Sequence, residues 1–389
     1  MKIVVDATAA ISGGKLYLNQ LLPQWARLAD GHEFIIFHWG DFDQFALPES
    51  RAHFRFHRVR LPWAAKGASA SILRMLWRVF VLPFHLRRLR PQLFFSNAGS
   101  LPGWKPRATK SVIALHNCMP LCQELIAEES TVLRWRLQML RRFMGRSVQR
   151  ADAAIVFSTD MKNRLVDSFG PLAHEPEVVF HGVDWGAEER RTSLDENALA
   201  HLGVNRPYLL YVSQFHRYKN LLRLLEAFAV LAAKHPQLSL VLVGVAADPH
   251  YWREVEDALT RLSLRERVIH LAHCPREQLI NLYLGAQVFV QPSLSESCSF
   301  PLLEALALGV PAAAARATAL PEMAGDGASY FDPYQPADIA AVVDRLLWDE
   351  DWRGELRQNA ITQAAKFSWA ETARRTLRVC ERVGREPHT

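Results

Sequence analysis

The sequence predicts an α/β protein built from two doubly wound parallel sheets. Two blocks of short apolar runs alternate with helical patterns, and a polar, charge-rich stretch, Trp185–Pro207, separates them. The chain is 389 residues long and 49% hydrophobic, enough for two cores and long for one. The expected domains are residues 1–185 and 205–368, with the stretch between them read as a linker carrying a short helix.

In the first block, Lys2–Asp6 reads as a buried strand. Ala7–Gly14 follows, passing through Gly13-Gly14 into an apolar-periodic helix from about Lys15 to Leu28. A glycine pair at that turn lets the backbone approach a phosphate closely, although many such turns carry glycine for geometry alone. Glu33–His38 is the next strand. After it, Asp41-Phe42-Asp43 is open to a metal reading or to an ordinary acidic surface loop. Ser71–Leu82 sets Ile72, Met75, Leu76, Val79 and Phe80 on one helical stripe, with Arg74 and Arg78 on the other side. Further strands are expected at Gln92–Ser96, Val112–His116, Ala153–Ser158 and Val178–His181. His116 would then end a strand, which is where parallel sheets place their ligands; a structural histidine is the alternative. Thr131–Arg150 is a second amphipathic helix, with Leu133, Leu137, Leu140 and Met144 opposed by six arginines. Each of the two basic helices fits either a core-packing role with a solvated arginine face or docking on an anionic membrane surface.

The second block restarts with strands at Tyr208–Ser213, Leu238–Gly244, Val268–Ala272 and Val288–Gln291. Helices are expected at Lys219–Ala233, Tyr251–Leu262, Arg276–Leu284, Ala337–Leu347 and Asp351–Lys366. Lys219 falls just before its helix, where an ammonium neutralises phosphate charge; a solvated surface lysine fits the stretch equally well. In Gln291–Pro311 a strand end passes through a polar loop into a helix opened by Pro301 and closed by Gly309. Glu296 lies in that loop and Glu304 on what reads as the first helical turn. Between them are the amides of a helix N-terminus, a ready anion site. Carboxylates flanking such a site suit a diphosphate with hydroxyls at both ends, as in a nucleotide-sugar.

Composition narrows the setting. No run of about 18 uncharged apolar residues occurs, so no membrane span is expected, and the first residues read as a strand rather than a signal peptide. The five cysteines are scattered, without CxxC or Cys/His metal spacing, which points to a reducing cytoplasm. The net charge of +6 is uneven: Ser50–Gln123 holds thirteen Lys and Arg with no Asp or Glu. Such a field favours anionic partners. Nucleic acid is the poorer match, since no binding motif or interleaved stacking platform accompanies the cations.

SLSESCSFPLLEALALGVP resembles the Glu-x7-Glu segment of the family 4 retaining glycosyltransferases, whose GT-B fold pairs two facing Rossmann-like domains across a deep cleft. The resemblance implies that Glu304 holds the donor's ribose hydroxyls and Glu296 contacts its sugar. YVSQFHRYKNLLRLLEAF resembles the family's diphosphate-binding strand–loop–Lys-Asn segment, which gives Lys219 the leaving phosphates. Where the family commonly has Gly followed by Arg, this chain has Ser213-Gln214, so Gln214 offers hydrogen bonds without charge and leaves Arg217 as the other possible cation. SVIALHNCMP resembles the family's strand-end histidine segment, so His116 would line the sugar site.

The implied catalytic set is His116, Glu296 and Lys219. The implied donor set is Gly13, Gly14, Gln214, Lys219, Phe300, Pro301, Leu302, Leu303 and Glu304. Ala317–Asp332 resembles the loop and helix beyond the donor site, and a last helix at about 369–384 resembles one that packs back on the first domain. The expected reaction moves a hexose, with retention, from a GDP- or UDP-linked donor to a hydroxyl of a glycan or lipid-linked acceptor in cell-envelope polysaccharide synthesis. No metal or other cofactor is expected. The expected location is cytoplasmic, or peripheral at the inner face of the cytoplasmic membrane. Two rivals are a GT-B nucleotide-sugar epimerase and a non-catalytic nucleotide-sugar-binding protein.

Overall fold

The computed structural model describes residues 1–8, 13–28, 31–39, 53–60 and 73–386. Asp41-Phe42-Asp43, Ser71 and Ile72 therefore lie outside the described residues. The chain divides into two compact units. The first comprises Met1–Ile126, Ser130–Gly182 and Ser368–Thr389, and the second Ala127–Glu129 and Val183–Phe367.

The first unit holds seven parallel strands: β1 (Lys2–Asp6), β2 (Glu33–His38), β3 (Phe54–Arg58), β4 (Leu93–Ser96), β5 (Lys110–Ala114), β6 (Ala153–Val156) and β7 (Glu177–Val178). Their order is β3-β2-β1-β4-β5-β6-β7, so the winding reverses between β1 and β4. Ile3–Val5, Phe34–Phe37 and Leu93–Phe95 are buried without alternation, as expected of a parallel sheet covered on both faces. The helix Trp369–Arg385 belongs to this unit: Trp25 Nε1 donates to Ala373 O at 3.0 Å, and Tyr17 Oη meets Thr376 Oγ1 at 2.9 Å. Gly182 permits that packing, because a Cβ there would lie 2.1 Å from the Trp369 nitrogen.

The second unit holds six parallel strands: β8 (Tyr208–Val212), β9 (Ser239–Val243), β10 (Val268–Leu271), β11 (Val288–Gln291), β12 (Ala312–Ala315) and β13 (Ser329–Phe331). Their order, β10-β9-β8-β11-β12-β13, reverses between β8 and β11. The stretch read as a linker packs on this unit. Arg190 donates to Ala307 O, Trp185 meets Tyr283 edge-on, and Asp195 N donates to Asn281 Oδ1.

Three strands lack a clear signal in the sequence. β3 is FRFHR, the last strand in the order, with Arg55, His57 and Arg58 exposed. β12 is four alanines, poor strand formers by propensity, yet all fully buried between β11 and β13. β13 is only three residues long.

The largest departure is the first basic helix. Residues 73–76 are α-helical, Trp77–Val81 form a π-helical turn, and Leu82–Leu89 resume the α-helix. The wider turn shifts the register, so the expected faces exchange. Arg78 points inward, its Nε 2.6 Å from Asp6 Oδ2, and its other nitrogens donate to Ser96 and Ser100. Met75, Leu76, Phe80, Val81 and Phe84 are exposed instead of forming a core stripe. In Thr131–Arg150, Leu137 and Met144 are buried as expected, whereas Leu140 and Trp135 are exposed. Arg141 is held by Pro120 O and Ser168 and lies over the Phe169 ring.

Candidate functional site

In the second unit the candidate side chains gather where the strand order reverses, at the carboxyl ends of β8 and β11. That is where open α/β sheets bind ligands. After β8 the chain passes through a one-turn 3-10 helix, Arg217–Lys219, before the helix Leu221–Lys234. Asn220 joins them in the left-handed region (φ 62°), which an asparagine tolerates better than most residues. Its Nδ2 donates to Pro292 O at 3.0 Å and Pro333 O at 2.7 Å, tying the loop to the end of β11. This lock sets Lys219 Nζ 2.6 Å from Glu296 Oε1. Both side chains are largely withdrawn from solvent, so the pair is screened far less than a surface ion pair.

Glu296 is held from three sides. Besides Lys219, Gln291 Nε2 donates to its Oε1 at 3.2 Å, and its own amide donates to Thr318 Oγ1 at 2.9 Å. Gln291 is fully buried and also donates to Ser293 Oγ, while its Oε1 is a buried acceptor without a partner in the structure. Thr318 carries a positive φ of 45°, a strained conformation of the kind that clusters at ligand sites.

Glu304 lies on the helix Phe300–Leu308, one residue beyond its first turn rather than within it. Tyr283 Oη donates to its Oε2 at 3.1 Å, and burial raises its pKa from the ordinary 4.5 to about 7. The amides at this N-terminus already have partners in the chain. Leu302 N donates to the capping Ser299 Oγ at 3.4 Å, and Leu303 N to Ser299 O at 3.1 Å. Phe300 and Pro301 are half-buried at the helix start. Gln214 is exposed on the loop after β8, and Arg217 is turned to Glu254 and the Tyr251 ring.

In the first unit, Gly13 and Gly14 are the first two residues of the helix Gly13–Leu28 rather than a turn before it. β5 ends at Ala114, so His116 stands two residues past the strand and not on its last position. Asn97, just after β4, links the two sites: its Nδ2 donates to Gly14 O at 2.9 Å, which leaves Oδ1 to accept from His116 Nε2 at 2.7 Å. A methyl on Gly14 would sit 3.2 Å from that Nδ2. His116 stacks on Phe157 and meets Tyr17 edge-on. Burial lowers its pKa to about 3, so it is a neutral hydrogen-bonding group at physiological pH. Gly14, Asn97, His116 and Asn117 line a cavity of about 280 Å³ with Pro120 and Phe143.

Tyr283, Thr318 and Asn97 carry no sequence signal, because their roles come from contacts across strand order, whereas Gln291 reaches Glu296 from within the same stretch. Among the described residues, no group of three or more His, Cys, Asp or Glu is placed to hold a metal ion, and no helix is long and apolar enough to cross a membrane.

Residues 11–186 match the model of glycosyltransferase family 4, and residues 197–367 that of the group 1 glycosyl transferases. The D-inositol 3-phosphate glycosyltransferase of Corynebacterium kroppenstedtii is 32% identical over 254 residues, 62% of this chain and 56% of that protein. The O-antigen chain mannosyltransferase B of Escherichia coli is 32% identical over 173 residues, 44% of each chain. The chain thus spans about half the length of these curated relatives. Among solved structures, the sucrose-phosphate synthase of Thermosynechococcus elongatus superposes with a TM-score of 0.76 at 19% identity, covering 98% of both chains. With the two family models together taking in nearly all of it, the chain belongs to the family 4, group 1, glycosyltransferases and has their GT-B fold.

Proposed function

We propose that the protein is a retaining hexosyltransferase that uses a GDP- or UDP-linked sugar and glycosylates a hydroxyl of a glycan or lipid-linked acceptor in envelope polysaccharide synthesis. The observation that carries this reading is the Lys219–Glu296 pair at the strand reversal of the second sheet, with Glu304 eight positions further on. Family membership and the mannosyl- and inositol-phosphate glycosyltransferase relatives support it.

In this reading the donor's diphosphate competes with Glu296 for the Lys219 ammonium. Charge accumulates on the phosphates as the glycosidic bond breaks, so Lys219 contributes most in the transition state. Glu296, freed from Lys219 but still held by Gln291 and Thr318, accepts hydrogen bonds from sugar hydroxyls. Glu304 accepts from the ribose. Neutral His116 and the Gly14 backbone position the sugar and acceptor side, and the departing phosphate takes the acceptor proton. Retention then needs no protein nucleophile.

The test is a thermal-shift and product screen against nucleoside diphosphates, their hexoses and candidate acceptors. At least one nucleoside diphosphate should raise Tm, and its sugar should be transferred with the anomeric configuration kept. A product of inverted configuration, or sugar turnover needing no acceptor, would overturn the reading.

A further inference from the structure

The exchanged faces of the first basic helix leave an apolar stripe outward. Leu76, Phe80 and Phe84 follow at intervals of four, flanked by Met75 and Val81. Phe80 is 61% and Phe84 63% exposed, values that large aromatics in a monomeric core helix do not have. Trp104, from the loop before β5, is also exposed and meets Phe84 edge-on at 5.6 Å between ring centroids, so the two segments form one patch. Around it, Arg87, Arg88, Arg90 and Arg107 are exposed, and no acidic residue occurs from Ser50 to Gln123.

We propose that this patch docks the first unit on an anionic phospholipid surface. Aromatic side chains enter the headgroup–acyl boundary while the surrounding arginines meet lipid phosphates, the arrangement of an interfacial helix. Charge argues against the other simple occupant: in a two-fold dimer both sides of the interface would be this arginine-flanked surface, with no acidic residue of Ser50–Gln123 to pair with it. The register shift also explains how the patch coexists with a stable core. Arg78, which sequence periodicity assigns to the basic face, is used internally to hold Asp6, and the aromatics take its place outside. This inference does not depend on the transfer reaction.

The experiment is sedimentation of the full chain with vesicles of phosphatidylglycerol and phosphatidylcholine, and with phosphatidylcholine alone. Binding is expected to the anionic vesicles, at least about ten-fold weaker on the neutral ones, and reversed by high salt. The double variant Phe80→Ser, Phe84→Ser should lose about ten-fold or more in partitioning, and Arg87→Gln, Arg88→Gln several-fold. Unchanged circular dichroism and Tm in both variants would tie the loss to the surface. The proposal is overturned by equal binding to both vesicle types, by binding to neither, or by variants that bind as well as the parent. A stable solution dimer dispersed by Phe80→Ser, Phe84→Ser, without vesicle binding, would assign the patch to a second copy.

Discussion

The two units solve the same topological problem with different materials. In the second, the strand reversal is furnished almost wholly from one stretch, residues 291–304, with Lys219 brought in from β8. In the first, the equivalent reversal between β1 and β4 is furnished from three distant segments: Gly14, Asn97 and His116. Their electrostatics differ too. The second unit keeps an ion pair and an acid poised near neutrality at its strand ends. The first buries the Asp6–Arg78 ion pair in a hydrogen-bonded network beside its strand reversal and presents a neutral histidine to its cavity. On the proposed reading, the contrast is that charge in the second unit exchanges with a ligand, whereas charge in the first holds the scaffold.

The largest expected effect tests the scaffold half. Arg78→Met leaves Asp6 buried, with Thr8 as its remaining hydrogen-bond donor, and should cost about 3–5 kcal/mol of stability in urea unfolding. A loss under about 1 kcal/mol would mean that the pair is not the lock described. Next comes the exchangeable half. Lys219→Ala should lower kcat roughly 10²-fold, with a smaller rise in donor KM, and Lys219→Arg should recover only part of it. Stability should fall as well, because the buried Glu296 carboxylate loses its cation and keeps Gln291 Nε2 as its hydrogen-bond donor; a variant with intact kcat would make Lys219 a structural cation and erase the contrast.

The smallest effect is the most diagnostic. Glu304→Ala should weaken nucleoside diphosphate binding roughly ten-fold or more by calorimetry. Because the Glu304 pKa is raised, to about 7, its contribution to stability is greatest below about 4.5 and is lost as pH rises from there to about 7. Ribose hydroxyls donate to the ionised form, so nucleotide affinity should rise between pH 6 and 8, and Glu304→Gln should flatten that rise. A pH-independent affinity in the parent protein would remove Glu304 from the ribose. His116, held neutral, should add no inflection near pH 6.5.

Local sequence was sufficient wherever a feature is written within about twenty residues. The apolar runs of β1, β2, β8 and β11, the Pro301-to-Gly309 helix and the spacing of Glu296 and Glu304 are of this kind, because burial on both faces and helix capping leave local marks. Even so, the local pattern places Glu304 on the first helical turn, one residue early, and His116 on a strand that ends at Ala114. Tertiary structure decided everything that depends on a neighbour far along the chain. Four alanines became β12 because they are buried and paired between β11 and β13. Tyr283 acquired Glu304, and Asn97 acquired both Gly14 and His116, because strand order brought them together. The π-turn at Trp77–Val81 is the clearest case: the same residues fit an ordinary amphipathic helix, and the Arg78–Asp6 bond formed across the core turns their apolar face outward.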